Sequence, residues 1–117
     1  MAINLFSNAS NAQSFEAGQI IFKEGDAGEV MFAVCEGRVD VIVGRTTVET
    51  VEEGGILGEM ALIDAGTRSA TAVAATAAKL VTVDRSQFTF LVQEHPTFAL
   101  EVMKIMAERL RRADQLG

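Results

Sequence analysis

The stretch Gly54-Gly55-Ile56-Leu57-Gly58-Glu59-Met60-Ala61-Leu62-Ile63-Asp64-Ala65-Gly66-Thr67-Arg68-Ser69-Ala70-Thr71 gathers residue types that suit a small anion. Gly58 permits a sharp turn or a close approach of backbone to a ligand. Glu59-Met60-Ala61-Leu62 fits a single helical turn, too short to serve as a packing element. A free helix start leaves amide N–H groups unpaired, and these favour an anion. Arg68, nine positions after Glu59, carries a planar set of donors matched to phosphate oxygens, and Ser69 adds a hydroxyl beside it. The small Ala70, Ala72, Ala74 and Ala75 leave room near that wall. An anion cradle beside a carboxylate suits a ligand with both phosphate and hydroxyl groups, such as a nucleotide. The spacing alone also fits a plainer reading, a surface salt bridge between Glu59 and Arg68 worth about 0–1 kcal/mol.

The elements that must position this stretch are short strands. Nine of the ten glycines fall between Gly18 and Gly66 and separate β-branched runs. Val30, Phe32 and Val34 alternate with Met31, Ala33 and Cys35, then Glu36-Gly37 leads into Val39, Val41 and Val43, a pattern that predicts a hairpin. Gly25-Asp26-Ala27-Gly28 and Val43-Gly44-Arg45-Thr46 mark further turns, and two more runs follow over 69–75 and 79–83. Short strands with frequent turns predict a sandwich, jelly roll or barrel. Glu49, Glu52 and Glu53 read as a solvated acidic loop before Gly54. Residues 1–14, rich in Asn, Ser and Ala, read as a loose arm or short helix.

Helical spacing takes over after Asp84. Asp84-Arg85-Ser86-Gln87 fits a capping box that opens a helix over 85–94, which must stop before His95-Pro96. Pro96 suits the first turn of a second helix over 96–115. Its apolar set, Phe98, Ala99, Val102, Met103, Ile105, Met106 and Leu110, is too broad for one buried stripe. That breadth is compatible with packing on both its own barrel and a second copy, a homodimer through the last helix.

Composition closes several doors. A chain of 117 residues makes one domain, and its net charge of -6 disfavours binding to a phosphate backbone. The one basic cluster, Lys104, Arg109, Arg111 and Arg112, alternates with Glu101, Glu108 and Asp114 and reads as a solvated helix face, so no nucleic-acid partner is expected. Cys35 and His95 are the sole residues of their types. They exclude an intrachain disulfide, a cysteine or histidine metal cage, and Ser-His-Asp or Cys-His catalysis. A cupin enzyme fails for want of histidines, and a cyclic phosphodiesterase for want of a metal or a positioned base. The expectation is a non-enzyme with no metal and no cofactor. Cys35, in mid-alternation, reads as a small core residue. No apolar run approaches the ~20 residues of a membrane span, and no signal-peptide pattern opens the chain, so a soluble cytoplasmic protein is expected.

Gly58-Glu59-Met60-Ala61-Leu62 followed by Arg68-Ser69-Ala70-Thr71 resembles the phosphate-binding cassette of the cyclic-nucleotide-binding domain family. That family includes the sensor domains of the catabolite activator protein, the protein kinase A regulatory subunit and cyclic-nucleotide-gated channels. The run Phe15-Glu16-Ala17-Gly18-Gln19-Ile20-Ile21-Phe22-Lys23-Glu24-Gly25-Asp26 is similar to the family's opening strand. Val34-Cys35-Glu36-Gly37-Arg38-Val39 is similar to its central hairpin, and the likeness extends over residues 15–112.

The resemblance implies a mainly β fold, an antiparallel jelly-roll β-roll over 15–84 within a domain spanning 15–117. A short N-terminal helical segment and two C-terminal helices would flank it. It implies that Glu59 accepts from a ribose 2′-hydroxyl and that Arg68 pairs with a cyclic phosphate. Amides around Ala61, Leu62 and Ala70 would complete the cradle, with Ser69 as a side-chain donor, and Gly58 and Met60 would also border the ligand. Val41 and Leu57 would wall the ribose and base, and Arg112, with Ala113 and Asp114, falls where the family caps the base. In the family serine or alanine at position 69 accompanies cyclic AMP and threonine accompanies cyclic GMP, so cyclic AMP is the expected ligand and cyclic GMP the alternative. Two roles follow: a stand-alone sensor that signals to a protein effector through its last helices, or the sensor half of a transcription regulator or channel.

Overall fold

The computed structural model describes Phe6 and residues 11–63 and 66–116. The elements run β1 (Gln13–Phe15), β2 (Ile20–Phe22), β3 (Ala27–Gly28), β4 (Met31–Glu36), β5 (Val39–Val43), β6 (Thr46–Val51), β7 (Ile56–Leu57), α1 (Met60–Ile63), β8 (Gly66–Thr67), β9 (Thr71–Ala74), β10 (Ala78–Val83), α2 (Arg85–Glu94) and α3 (Thr97–Leu116). One sheet has the order β1-β10-β4-β7, a second β2-β9-β5-β6, and β3 pairs with β8. Every pairing is antiparallel, which with the C-terminal helices makes the β-roll that the family resemblance implies. The expected N-terminal helical segment falls largely outside the described residues. Within them, Gln13 and Ser14 are strand, paired with Leu80 and Lys79.

The hairpin expected around Glu36-Gly37 does not form. β4 lies between β10 and β7, whereas β5 lies between β9 and β6, so the chain changes sheets at this corner. It changes back between β9 and β10, and the two corners brace each other: Arg38 N–H donates to Thr76 Oγ1 at 3.1 Å and Ala75 N–H to Arg38 O at 2.9 Å. Gly37 has φ +85° and sits against the Ala77-Ala78 backbone, so both conformation and space require glycine there. Alternation identifies the faces of a strand but not its neighbour. The Gly44-Arg45 turn does close a hairpin, with Val43 opposite Thr46. β6 also takes in Glu49, which therefore stands on a strand and not in a loop.

β4 is buried from Met31 to Cys35 because both of its faces are covered. Met31, Ala33 and Cys35 pack with Phe6, Val81, Val83 and the α3 residues Phe98, Val102 and Ile105. Phe32 and Val34 face the roll interior with Val39, Ala72 and Leu80. Phe98 stands between the rings of Phe6 and Phe88, with centroid distances of 6.0 and 5.4 Å. Cys35 Sγ donates to Phe6 O at 3.1 Å, and burial, with Glu36 and Glu53 nearby, pushes its thiol pKa up. Leu100, Met103 and Leu110 remain exposed on α3. Among the described residues no helix is long and apolar enough to cross a membrane.

The start of α2 is set by a reciprocal cap. The Asp84 carboxylate accepts from Gln87 N–H at 2.8 Å, and the Gln87 side chain accepts from Asp84 N–H at 2.8 Å. Asp84→Ala removes one half of this exchange and should cost about 1 kcal/mol, lowering the melting temperature by about 4 °C. Thermal unfolding followed by circular dichroism checks this, and an unchanged midpoint contradicts it.

Candidate functional site

Arg68 follows directly on β8, and the loop before β4 holds it in place. Its backbone N–H donates to Asp26 O at 2.7 Å, and its carbonyl accepts from Gly25 N–H at 2.8 Å. The side chain is buried, with Nη2 donating to Val30 O at 2.7 Å and Nη1 to Gly58 O at 3.3 Å. Its guanidinium carbon lies 4.3 Å from the centre of the Phe22 ring. Nε is buried with no hydrogen-bond partner among the described residues. Burial pushes the guanidinium pKa down against the pull of Asp26, yet an arginine keeps its charge in such a setting. Gly58, at φ +73°, brings the cassette backbone this close: a Cβ there would stand 2.7 Å from Arg68 Nη1.

Glu59 points to a different arginine. Its carboxylate, 8% exposed, accepts from Arg109 Nη1 of α3 at 2.6 Å. Arg109 also reaches β6, where Nε and Nη2 donate to the two oxygens of Glu49 at 2.9 and 3.1 Å, and Nη2 donates to Ile56 O as well. Burial disfavours the charge on Arg109, but the hydrogen bond to Glu49 and the charges of Glu59 and Glu49 outweigh it and hold its pKa above the ordinary value. The surface salt bridge between Glu59 and Arg68 is thus not what forms, since both are buried and each has other partners. Nor is Arg109 part of a solvated face. It continues the buried stripe Phe98, Val102, Ile105 at helical spacing, a signal present in the sequence that its charged neighbours obscured.

These groups line an open cavity of about 560 Å³. Val41, Leu57, Gly58, Glu59, Met60, Ala61, Arg68, Ser69 and Ala70 stand on its wall, as do Phe22, Glu49, Thr67, Met106, Ala107, Arg109 and Leu110, to which the sequence reading gave no ligand role. Leu62 and Arg112 do not line it. Leu62 packs against the core beneath α2 and α3, and its carbonyl accepts from Arg85 Nε and Nη2 at 3.2 and 2.9 Å. Arg112 Nη2 turns to Glu49 Oε1 at 3.2 Å, in a neighbouring groove. The amides of Ala61 and Leu62 are not free, since they bond Gly58 O and Glu59 O at 3.2 and 3.1 Å. Both bonds are longer than the usual 2.9–3.0 Å, and an anion competing for these amides would share them. The wall can therefore take an anion near Arg68, a hydroxyl near Glu59, and a flat apolar group against Val41, Leu57 and α3. Among the described residues no cluster of His, Cys, Asp or Glu is suited to a metal ion.

The sequence model of the Cyclic nucleotide-binding domain family matches residues 12–95. The Cyclic AMP receptor protein of Thermus thermophilus is 34% identical over 107 residues, covering 86% of this chain and 49% of that protein. Lysophospholipase NTE1 of Chaetomium globosum is 34% identical over 100 residues, covering 81% of this chain and 7% of that protein. The crystal structure of Thermus thermophilus Catabolite Activator Protein superposes with a TM-score of 0.77 at 29% identity, covering 94% of this chain and 59% of that one. The chain spans half or less of the length of these two curated relatives. With the family match running from the first strand to the end of the first long helix, and the cassette geometry in place, the chain belongs to the cyclic nucleotide-binding domain family.

Proposed function

We propose that this domain is a non-catalytic sensor of a cyclic mononucleotide, cyclic AMP in preference to cyclic GMP, that reports occupancy to a protein effector through α3. The observation that carries this reading is one cavity holding a buried arginine and a buried carboxylate, the carboxylate being held by a residue of the last helix. The cyclic phosphate sits at Arg68, with Ser69 and the cassette amides as further donors. The ribose 2′-hydroxyl donates to Glu59, and the base lies against Val41, Leu57 and α3. Ser69 and the name of the Thermus relative both favour cyclic AMP.

The signalling part of the proposal rests on Glu59. Its carboxylate would serve the ligand and Arg109 at once, so ligand binding changes the free energy of docking α3 on the roll. Such a change shifts a helix equilibrium only by the difference in ligand affinity between the two positions. The exposed Leu100, Met103 and Leu110 offer a surface through which α3 would meet an effector or a second copy. A second reading, the sensor part of a longer transcription regulator or channel, is favoured by the share of the Thermus protein that the chain spans, 49%.

Four measurements test this. Titration calorimetry should show cyclic AMP binding to the wild-type chain and an affinity about thirty- to several-thousand-fold lower for Arg68→Ala, as expected when one partner of a desolvated charge pair is removed. Equal affinities would remove Arg68 from the site. A cyclic AMP analogue lacking the 2′-hydroxyl should bind about ten- to a hundredfold more weakly than its parent, and parity would refute the role given to Glu59. Arg109→Met leaves two carboxylates without their main cation and should lower urea stability by about 3 kcal/mol. In hydrogen exchange, α3 of this variant should no longer respond to cyclic AMP as the wild type does, and a retained response would place the coupling elsewhere.

A further inference from the structure

Gly28 is a glycine whose backbone does not call for one. Its φ lies outside the left-handed region, unlike that of Gly25 or Gly58, and it pairs with Gly66 in the short β3–β8 ladder. An alanine at such a position costs nothing in conformation and restricts the unfolded chain. What the position lacks is room. A Cβ on Gly28 would stand 2.6 Å from Arg68 Nε, 2.7 Å from Cζ and 2.9 Å from Cδ, and these are the three nearest atoms.

The guanidinium has little freedom to retreat. The Phe22 ring lies 4.3 Å from its carbon, and Val30 O and Gly58 O hold its two terminal nitrogens. The backbone of Arg68 is pinned to Gly25 and Asp26. The segment from Phe22 to Val30 thus forms a seat for one side chain, with Gly28 as the part of it that is empty by design.

We propose that Gly28 is a positioning residue of the anion site, its missing side chain leaving the space in which the Arg68 guanidinium is held in the orientation that binds the ligand phosphate. The inference rests on the reading of Arg68 as the phosphate partner. Substitution by alanine forces the guanidinium off its two carbonyls and turns its donors away from the anion.

Calorimetry with cyclic AMP on wild type, Gly28→Ala, Arg68→Ala and the double variant tests it, with a thermal melt of each. Gly28→Ala should bind roughly ten- to a hundredfold more weakly than wild type while melting within a few degrees of it. In the Arg68→Ala background the same substitution should bring no further loss, because the three atoms nearest the added Cβ all belong to the Arg68 side chain; a purely structural defect would lower both backgrounds alike. Wild-type or tighter affinity for Gly28→Ala, with Arg68→Ala impaired, overturns the inference and leaves the site reading intact. Unimpaired binding by Arg68→Ala overturns both. Should Gly28→Ala fail to fold, a folded double variant supports the clash, and an unfolded one overturns the proposal.

Discussion

A guanidinium keeps its proton under physiological conditions, so a fold that buries one must surround it with acceptors or lose several kcal/mol of solvation. This domain buries one and half-buries another beside one cavity, and satisfies them differently. Arg68 receives neutral partners, two backbone carbonyls and an aromatic face, and among the described residues no carboxylate stands within salt-bridge distance of it, Asp26 acting only from further off. Arg109 receives two carboxylates and a carbonyl, so its charge is more than matched. The first arrangement keeps electrostatic attraction available to an incoming anion. The second spends it on holding a helix.

Much of the roll can be understood as support for those two side chains. The β3–β8 ladder and the bonds between Arg68, Gly25 and Asp26 fasten the end of the cassette to the loop before β4. The positive φ of Gly58 brings its carbonyl within reach of Arg68 and sets the next residue, Glu59, facing α3. From the other side, Phe98, Val102 and Ile105 seat α3 on β4 and β10, which carries Arg109 to the cavity rim one helical step later. Arg85 ties the cassette helix to the first turn of α2 through Leu62 O. The cassette is thereby bonded to both C-terminal helices by arginine side chains that donate to backbone or carboxylate oxygen.

The local signals were legible, and the long-range ones were not. The cap at Asp84 and the turn at Gly44-Arg45 depend on neighbours in the chain, and both appear as residue patterns. The cassette spacing, together with the family resemblance, placed Glu59 and Arg68 beside one cavity. The corner at Gly37 looks like a hairpin in the sequence because a strand's alternation is the same whether its partner is the next strand or one forty residues away. Arg109 and Glu49 were read as solvent-facing for a similar reason. Each is charged and sits among other charges, and only the approach of α3 to β6 turns them into a half-buried pair. Gly28 reads in the sequence only as part of a turn, because its further demand comes from a side chain forty positions later.

The double coverage of β4 has a bearing on how this domain can change over time. A strand with solvent on one side can alter its inner face without disturbing anything else. Met31–Glu36 lacks that latitude for five of its six residues, whose side chains are buried. Reshaping the interior through Phe32 or Val34 also displaces the shelf on which α3 rests, so drift in this strand affects pocket shape and helix seating together. β6 and the outward side of α3 retain a solvent face, and independent variation in either property is channelled there.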